Sequence, residues 1–376
     1  MSPPADPAPP PGEGPRTPVL ADVAELAGVS QQTVSRVVRG SGSVARRTRE
    51  RVEQAIAELG YQPNAAARAL VTRRSHRIGV VAASTSLYGP ALTLVGVQEA
   101  ARAAGYSVTV VMVSDLLPTT VEEAFQELRG QAVDGAIAVV PEDASQAAVA
   151  ATDVTFPCVQ APGLDGAGVP DAYWSEVAAA RAVTEHLLSL GHATVHHVGG
   201  PVDWAEARAR STGWRTALVE AMRVVPRPVR GDWTAASGYR AGREVVAAGA
   251  SAVFCGNDHM AIGVVRAVTE RGLSVPGDVS VVGFDDVPEA AYLNPPLTTV
   301  HQDFTEIGRR CVQVLLGRLA RRVVELGPVS PRLVVRASTG PAPAVVRVPG
   351  GSGGGVPPHE DPPGSPAAGS PTAGAR

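Results

Sequence analysis

The sequence predicts an α/β protein in two parts: a small all-α head with a helix-turn-helix, and a core of two lobes built from parallel, doubly wound sheets. Three observations carry that expectation. Residues 20–70 combine helical apolar spacing with a glycine stop and a serine restart. From Arg77 onward, short apolar runs alternate with helical stretches, the pattern of parallel strands joined by covering helices. Charge is also divided. Residues 17–77 hold ten Arg against five acids, about +5, while the whole chain is −3, so the remainder is about −8.

The head is read element by element. Val23, Leu26 and Ala27 recur at helical spacing and predict one apolar side for a first helix. Gly28 ends it, as a residue free to take positive φ does. Ser30 stands where an N-cap belongs. The next helix, Gln31 to Val38, turns Val34, Val37 and Val38 inward. That leaves Ser30, Gln31, Gln32, Thr33, Ser35 and Arg36 for the outside. Gln bonds adenine bidentately and Arg bonds guanine bidentately, and the second helix of such a turn enters the major groove with its N-terminal residues on base edges. For an isolated helix a solvated polar face is the ordinary reading. The turn and the flanking helices favour base reading.

In the core, strands are expected at 78–83, 107–113, 135–140, 157–161, 194–199, 251–256 and 280–286, with helices at 90–104 and 121–128. A doubly wound sheet places ligands at the carboxyl ends of its strands, and two lobes place the ligand in the cleft between them. Polar residues collect at those ends: Asn257 and Asp258 after VFCG, Asp285 and Asp286 after VVGF, Asp165 after VQAPG, Trp233 after RGD. Arg208 and Arg210 open the helix after HHVGGPVDW. Carboxylate, amide and guanidinium groups around an aromatic platform suit a hydroxyl-rich ligand, and placed polar groups reject analogues lacking the matching OH. Asp286 has an equal reading as a helix N-cap. His196 and His197 lie in a strand with no metal-like partners and are expected in the core.

At 376 residues the chain is long enough for large cores. It has no 18-residue apolar run, so no transmembrane helix and no membrane partner is expected. The Pro-rich N-terminus lacks an apolar signal core, which predicts a cytoplasmic, non-exported chain. Cys158, Cys255 and Cys311 have no paired spacing, arguing for a reducing compartment, against metal binding and for buried packing. The glycine-rich 350–355 lacks both a Lys and a strand-helix context, so it reads as linker rather than phosphate loop. Residues 1–16 and 341–376 are expected to be disordered.

The motifs Asp22-Val23-Ala24, Ala27-Gly28-Val29-Ser30, Thr33-Val34-Ser35-Arg36-Val37, Thr48-Arg49, Leu59-Gly60-Tyr61, Pro63-Asn64, Ala67-Arg68 and Leu70 occur in order. The chain thereby resembles the LacI/GalR family of bacterial transcription regulators, and the likeness continues to about Gly340. The resemblance implies a helix-turn-helix domain at 17–63, a hinge helix and linker at 64–76, and a periplasmic-binding-protein-like core at 77–340. Its lobes would be 77–174 with 303–331 and 175–302 with 332–340, with crossings near Trp174, Thr299 and Pro331. Asn64, Arg68 and Leu70 would lie on the hinge helix in the minor groove, Leu70 wedged between base steps. The effector pocket would hold Arg210 from the segment Arg208-Ala209-Arg210-Ser211-Thr212-Gly213-Trp214. Trp233, Asn257, Asp285 and Gln302 would join it, with Leu87, Gly89 and Pro90 as an apolar wall. Asp165 would be a further hydroxyl binder in a divergent segment.

The implied function is a repressor: a homodimer on a pseudo-palindromic DNA operator, released by a small sugar, with a galactoside or related glycoside as first candidate. No cofactor and no metal is implied. The cleft carboxylates lack a nucleophile-base pair, so an enzyme is not expected. A nucleobase effector or an activator role are rivals within the family. A solute-binding receptor is a rival outside it, opposed by the basic head and the missing signal core. Some positions depart from the pattern. Gln31 stands where a family member carries an aromatic residue, so the operator should differ. Ala83 and Tyr88 replace pocket-side residues of other size. A Pro/Gly-rich tail replaces a leucine-heptad one, which favours a dimer over a tetramer.

Overall fold

The computed structural model describes residues 18–38, 44–61, 74–83, 87–113, 117–140, 143–152, 154–161, 172–327 and 331–344. Asn64, Arg68, Leu70 and Asp165, the hinge helix, and residues 1–16 and 345–376 of the terminal segments expected to be disordered lie outside them.

The head comprises α1 (Leu20–Ala27), α2 (Gln31–Val38) and α3 (Arg46–Leu59). Gly28 ends α1 at φ 61° and ψ 42°, the left-handed conformation glycine adopts without a Cβ penalty. Val23, Ala24, Ala27, Val34, Val37, Val52, Ala55 and Tyr61 form the core. One expectation is corrected here: Leu26 is exposed, and Ala24 takes the buried place beside Val23 and Ala27. A small residue suits close packing of three short helices.

The remaining described elements are β1 (Arg77–Ala82), α4 (Tyr88–Ala103), β2 (Ser107–Met112), α5 (Pro118–Gly130), β3 (Gly135–Val139), α6 (Asp143–Ala151), β4 (Cys158–Ala161) and α7 (Ala172–Ser189). Then follow β5 (His196–Gly199), α8 (Ala205–Glu220), β6 (Val229–Arg230), α9 (Ala235–Ala247), β7 (Ala252–Cys255), α10 (Asp258–Glu270) and β8 (Ser280–Val282). A 3-10 turn (Pro288–Tyr292), β9 (Thr299–His301), α11 (Phe304–Leu319) and β10 (Arg332–Val334) complete them. The chain divides into two compact units: Met1–Ala180, Val202–Thr212 and His301–Arg332; and Arg181–Pro201, Gly213–Val300 and Leu333–Arg376.

In the first unit the parallel sheet runs β2-β1-β3-β4. Alternate side chains of β1 and β3 serve opposite faces. Ile78, Val80 and Ile137 pack with Val97 of α4 and Cys311 and Leu315 of α11, while Val81, Ala136 and Ala138 pack with Phe125 and Leu128 of α5 and Val149 of α6. Helices α4 and α11 approach backbone to backbone: a Cβ at Gly96 would stand 2.1 Å from the Thr305 carbonyl oxygen, and one at Gly308 2.1 Å from that of Thr93.

In the second unit the parallel sheet runs β6-β5-β7-β8. His197 is buried as expected, stacked between Trp214 and Phe254 at 5.1 and 4.8 Å, with its Nδ1 donating to the Phe254 carbonyl across 3.0 Å. His196 is half-buried. Of the cysteines, Cys255 and Cys311 are buried and Cys158 is half-buried. Burial pushes the Cys311 thiol up to about 12. No helix among the described residues is long and apolar enough to cross a membrane.

Candidate functional site

The first site is the outer face of α2. Ser30 does cap the helix: its Oγ accepts from Thr33 N at 3.2 Å and lies 2.9 Å from Thr33 Oγ1. The Ser30 and Thr33 hydroxyls therefore engage each other. Gln31, Gln32 and Arg36 are exposed, and Thr33 and Ser35 are half-buried. The geometry thus offers two amides and one guanidinium to the outside, held by Val34 and Val37 on the inside. Arg51, one of the ten Arg of the head, has a structural role as well as its charge. Its guanidinium donates to the Ala27 carbonyl, and to that of Gly28 at 3.2 Å, so it ties α3 to the end of α1.

The second site is the carboxyl edge of the second unit's sheet. Trp233 follows β6, Asn257 follows β7 and Asp285 follows β8. Trp233 is 6% exposed with φ 72°. Its indole rests on glycines at two strand ends: a Cβ at Gly200 would lie 2.2 Å from its Cη2, and one at Gly256 3.2 Å from its Cζ3. The bare backbone there is what admits a ring. Asn257 holds the platform. Its Nδ2 donates to the Trp233 carbonyl at 3.0 Å, and its Oδ1 accepts from Met260 N at 2.9 Å as the N-cap of α10.

Asp285 is buried with φ 106°, and Asp286 follows with φ 57°. Two successive non-glycine residues at positive φ mark a backbone that its surroundings must hold in place. Asp285 N donates to the Val300 carbonyl at 2.8 Å. Asp258 lies beneath: it accepts from Val287 N at 2.9 Å and from Thr299 Oγ1 at 2.5 Å, while its own N–H donates to the Phe284 carbonyl. Burial pushes its carboxyl up to about 7 against those hydrogen bonds. The helix-cap reading of Asp286 is corrected. The residue at the cap of the following 3-10 turn is Val287, and Asp286 Oδ1 accepts instead from Arg336 Nη2 at 2.7 Å.

Other expected residues lie in the first unit. Leu87 caps α4 with extended backbone, so the helix starts two residues before the expected Pro90. Gly89 is buried against the Phe304 ring, where a Cβ would come within 2.8 Å, and Tyr88 meets the same ring edge-on at 6.0 Å. Gln302 is buried two residues before Phe304. Arg210 is buried on α8 and grips Glu176 of α7 with Nε to Oε2 at 2.7 Å and Nη2 to Oε1 at 3.4 Å. Leu87, Gly89 and Pro90 thus form one turn, packed by a neighbour of Gln302. Asp258 lies at the strand end where the sequence places it, while Glu176 and Arg336 carry no sequence signal. Partners 34 and 50 positions apart leave no local spacing signal, although glycine directly after a strand run, as at Gly200 and Gly256, is legible as a place of close approach.

Residues 19–64 match the family described as bacterial regulatory proteins, lacI family, and residues 184–339 match a periplasmic binding protein-like domain. The lactose operon repressor of Escherichia coli (strain K12) is 37% identical over 328 residues, covering 86% of this chain and 91% of its own. The chain belongs to the lacI family of bacterial regulatory proteins. A crystal structure of the lac repressor dimer bound to operator and the anti-inducer ONPF superposes with a TM-score of 0.76 at 35% identity, over 86% of this chain and all of the other. A complex of the transcriptional regulator CelR with cellobiose gives 0.62 at 29% identity, over 85% of this chain and 99% of the other. This lacI-family protein is accordingly a DNA-binding transcriptional repressor and not an enzyme.

Proposed function

We propose that this repressor is controlled by a small sugar, with a galactoside or related glycoside as first candidate. The observation that carries the reading is the buried indole of Trp233 seated on Gly200 and Gly256, with the Asp285 backbone at positive φ one strand away. An aromatic ring packs on the apolar face of a pyranose, and a carboxylate takes hydroxyl protons in charge-assisted bonds stronger than neutral ones. Asn257, Arg210, Gln302 and the Leu87–Pro90 turn are the further contacts in this reading, with Asp165 as one more. Two relatives support the reading: one is a lactose operon repressor and one was solved with cellobiose.

The DNA face is α2, with Gln31, Gln32 and Arg36 reading bases and Ser30, Thr33 and Ser35 beside them. Asn64, Arg68 and Leu70 of the hinge are assigned to the minor groove. The repressor acts in the cytoplasm as a homodimer on a pseudo-palindromic operator, because two-fold protein symmetry is mirrored in half-sites. The effector lowers operator affinity by binding the DNA-incompetent arrangement more tightly, which is all that linkage requires.

The test is a titration of wild type and Asp285→Ala with mono- and disaccharides while operator release is followed. Wild type should release with a glycoside, and the variant should bind operator normally yet fail to respond. Release by a nucleobase alone, or a variant that responds like wild type, would overturn the reading.

A further inference from the structure

Glu206 sits one helical turn before Arg210 on α8, so the two side chains share a face. Its Oε2 is buried and has no hydrogen-bond partner among the described residues. The nearby cations are already committed. Arg208 makes a two-pronged pair with Asp143, Nη1 to Oδ2 at 2.6 Å and Nη2 to Oδ1 at 2.8 Å, and also reaches the Val202 carbonyl at 2.9 Å. Arg210 makes its own two-pronged pair with Glu176. Among the described residues, Arg208 and Arg210 thus pair with Asp143 and Glu176, and Glu206 is the carboxyl left without a guanidinium pair. Burial pushes its carboxyl up to about 7, opposed by its own amide N–H, raised further by Glu176 and lowered by Arg210 and Arg208.

A buried acceptor left unsatisfied costs roughly 1–3 kcal/mol, and such a group in a native protein calls for an explanation, a bound ligand among them. We propose that Glu206 is a further effector-binding residue, that the missing partner is an ammonium group of the effector, and that the repressor prefers an amino sugar to the parent sugar. The inference rests on the sugar reading above. A hydroxyl would satisfy the hydrogen bond but would not balance the charge of the ionised carboxylate. A protonated amine satisfies both and draws the proton off Glu206. At pH 6, where Glu206 is largely protonated, an already protonated amine that binds there releases a proton to buffer.

The experiment is calorimetric titration of the full-length repressor with galactose, glucose and their 2-, 3-, 4- and 6-amino-deoxy derivatives. It is run at pH 6 in two buffers of different ionisation enthalpy, on wild type, Glu206→Gln and Glu206→Ala. Operator affinity, measured in parallel, confirms that each variant is folded. The expected result is at least one amine bound about tenfold more tightly than its parent, with proton release, and loss of both preference and release in either variant. No amine preferred over its parent, or a preference that survives in Glu206→Gln, overturns the assignment. If neither sugars nor amines bind wild type, the sugar reading falls and this inference falls with it. If parent sugars bind in an Asp285-dependent way with no amine preference, this inference alone is wrong.

Discussion

Asn257 donates from Nδ2 to the main-chain carbonyl of Trp233 across 3.0 Å. The same side chain caps α10 through Met260 N. One amide thus couples the start of a helix to the backbone that carries the aromatic platform, with Trp233 at φ 72°. A side chain assigned from sequence to ligand binding also builds the site.

The glycines under that platform give the first prediction. Gly200→Ala places a methyl 2.2 Å from Trp233 Cη2, and the ring has to move. Overpacking of this kind costs roughly 1–3 kcal/mol. Effector affinity should fall about tenfold or more while operator affinity stays within about twofold, measured by effector-driven release from operator. An unchanged effector midpoint would show that the ring position does not matter.

The strap beneath Asp285 gives the second. Asp286 is held by Arg336, both of them partly buried, and Arg336 Nη1 also donates to the Leu297 carbonyl at 2.8 Å. Arg336→Met removes the partner of a partly buried carboxylate. Such losses exceed those of exposed pairs, which are worth about 0–1 kcal/mol. The expected outcome is a lower urea midpoint together with a weakened effector response. A variant with wild-type midpoint and response would remove the strap from the account.

Acidity provides the third. Burial raises both Asp258 and Glu206 to about 7, above the ordinary carboxylate range near 4. The folded chain therefore keeps protons that the unfolded chain releases. Their contribution to stability is full below about pH 4 and is lost as pH rises through about 7, opposite in sign to a salt-bridged carboxylate. Each group limits the slope to about 1.4 kcal/mol per pH unit. Urea midpoints measured from pH 5 to 8 should decline for wild type and decline less for Glu206→Gln. Equal slopes for the two proteins would remove Glu206 from the effect.

The alternation of β and α runs was legible because parallel strands buried on both faces read as continuous apolar stretches, as in Gly135–Val139. So was the head, because Gly28 and Ser30 act on their immediate neighbours. Leu26 misled because periodicity marks a face but does not say how far the packing extends along it. The site split along the same line. Residues placed by a strand end, such as Trp233 and Asp285, could be found from local pattern and family likeness. Glu176 and Arg336 do their work through partners distant in the chain, and pairing of that kind is a property of the fold.

Arg36 carries the last prediction. It is exposed on α2 while Val34 and Val37 on the same helix are buried, so the helix is held by one side and offers the guanidinium on the other. A bidentate Arg–guanine pair is worth roughly 1–3 kcal/mol of discrimination, whereas phosphate contacts are indifferent to sequence. Arg36→Ala should therefore lower affinity for operator by roughly 5- to 150-fold at fixed salt. Binding to random DNA should weaken much less, as expected for loss of one charge among the head's many Arg. Effector affinity should stay as in wild type, since the substitution lies in the head. If operator and random DNA weaken equally, Arg36 contacts phosphate, and base reading passes to Gln31 and Gln32.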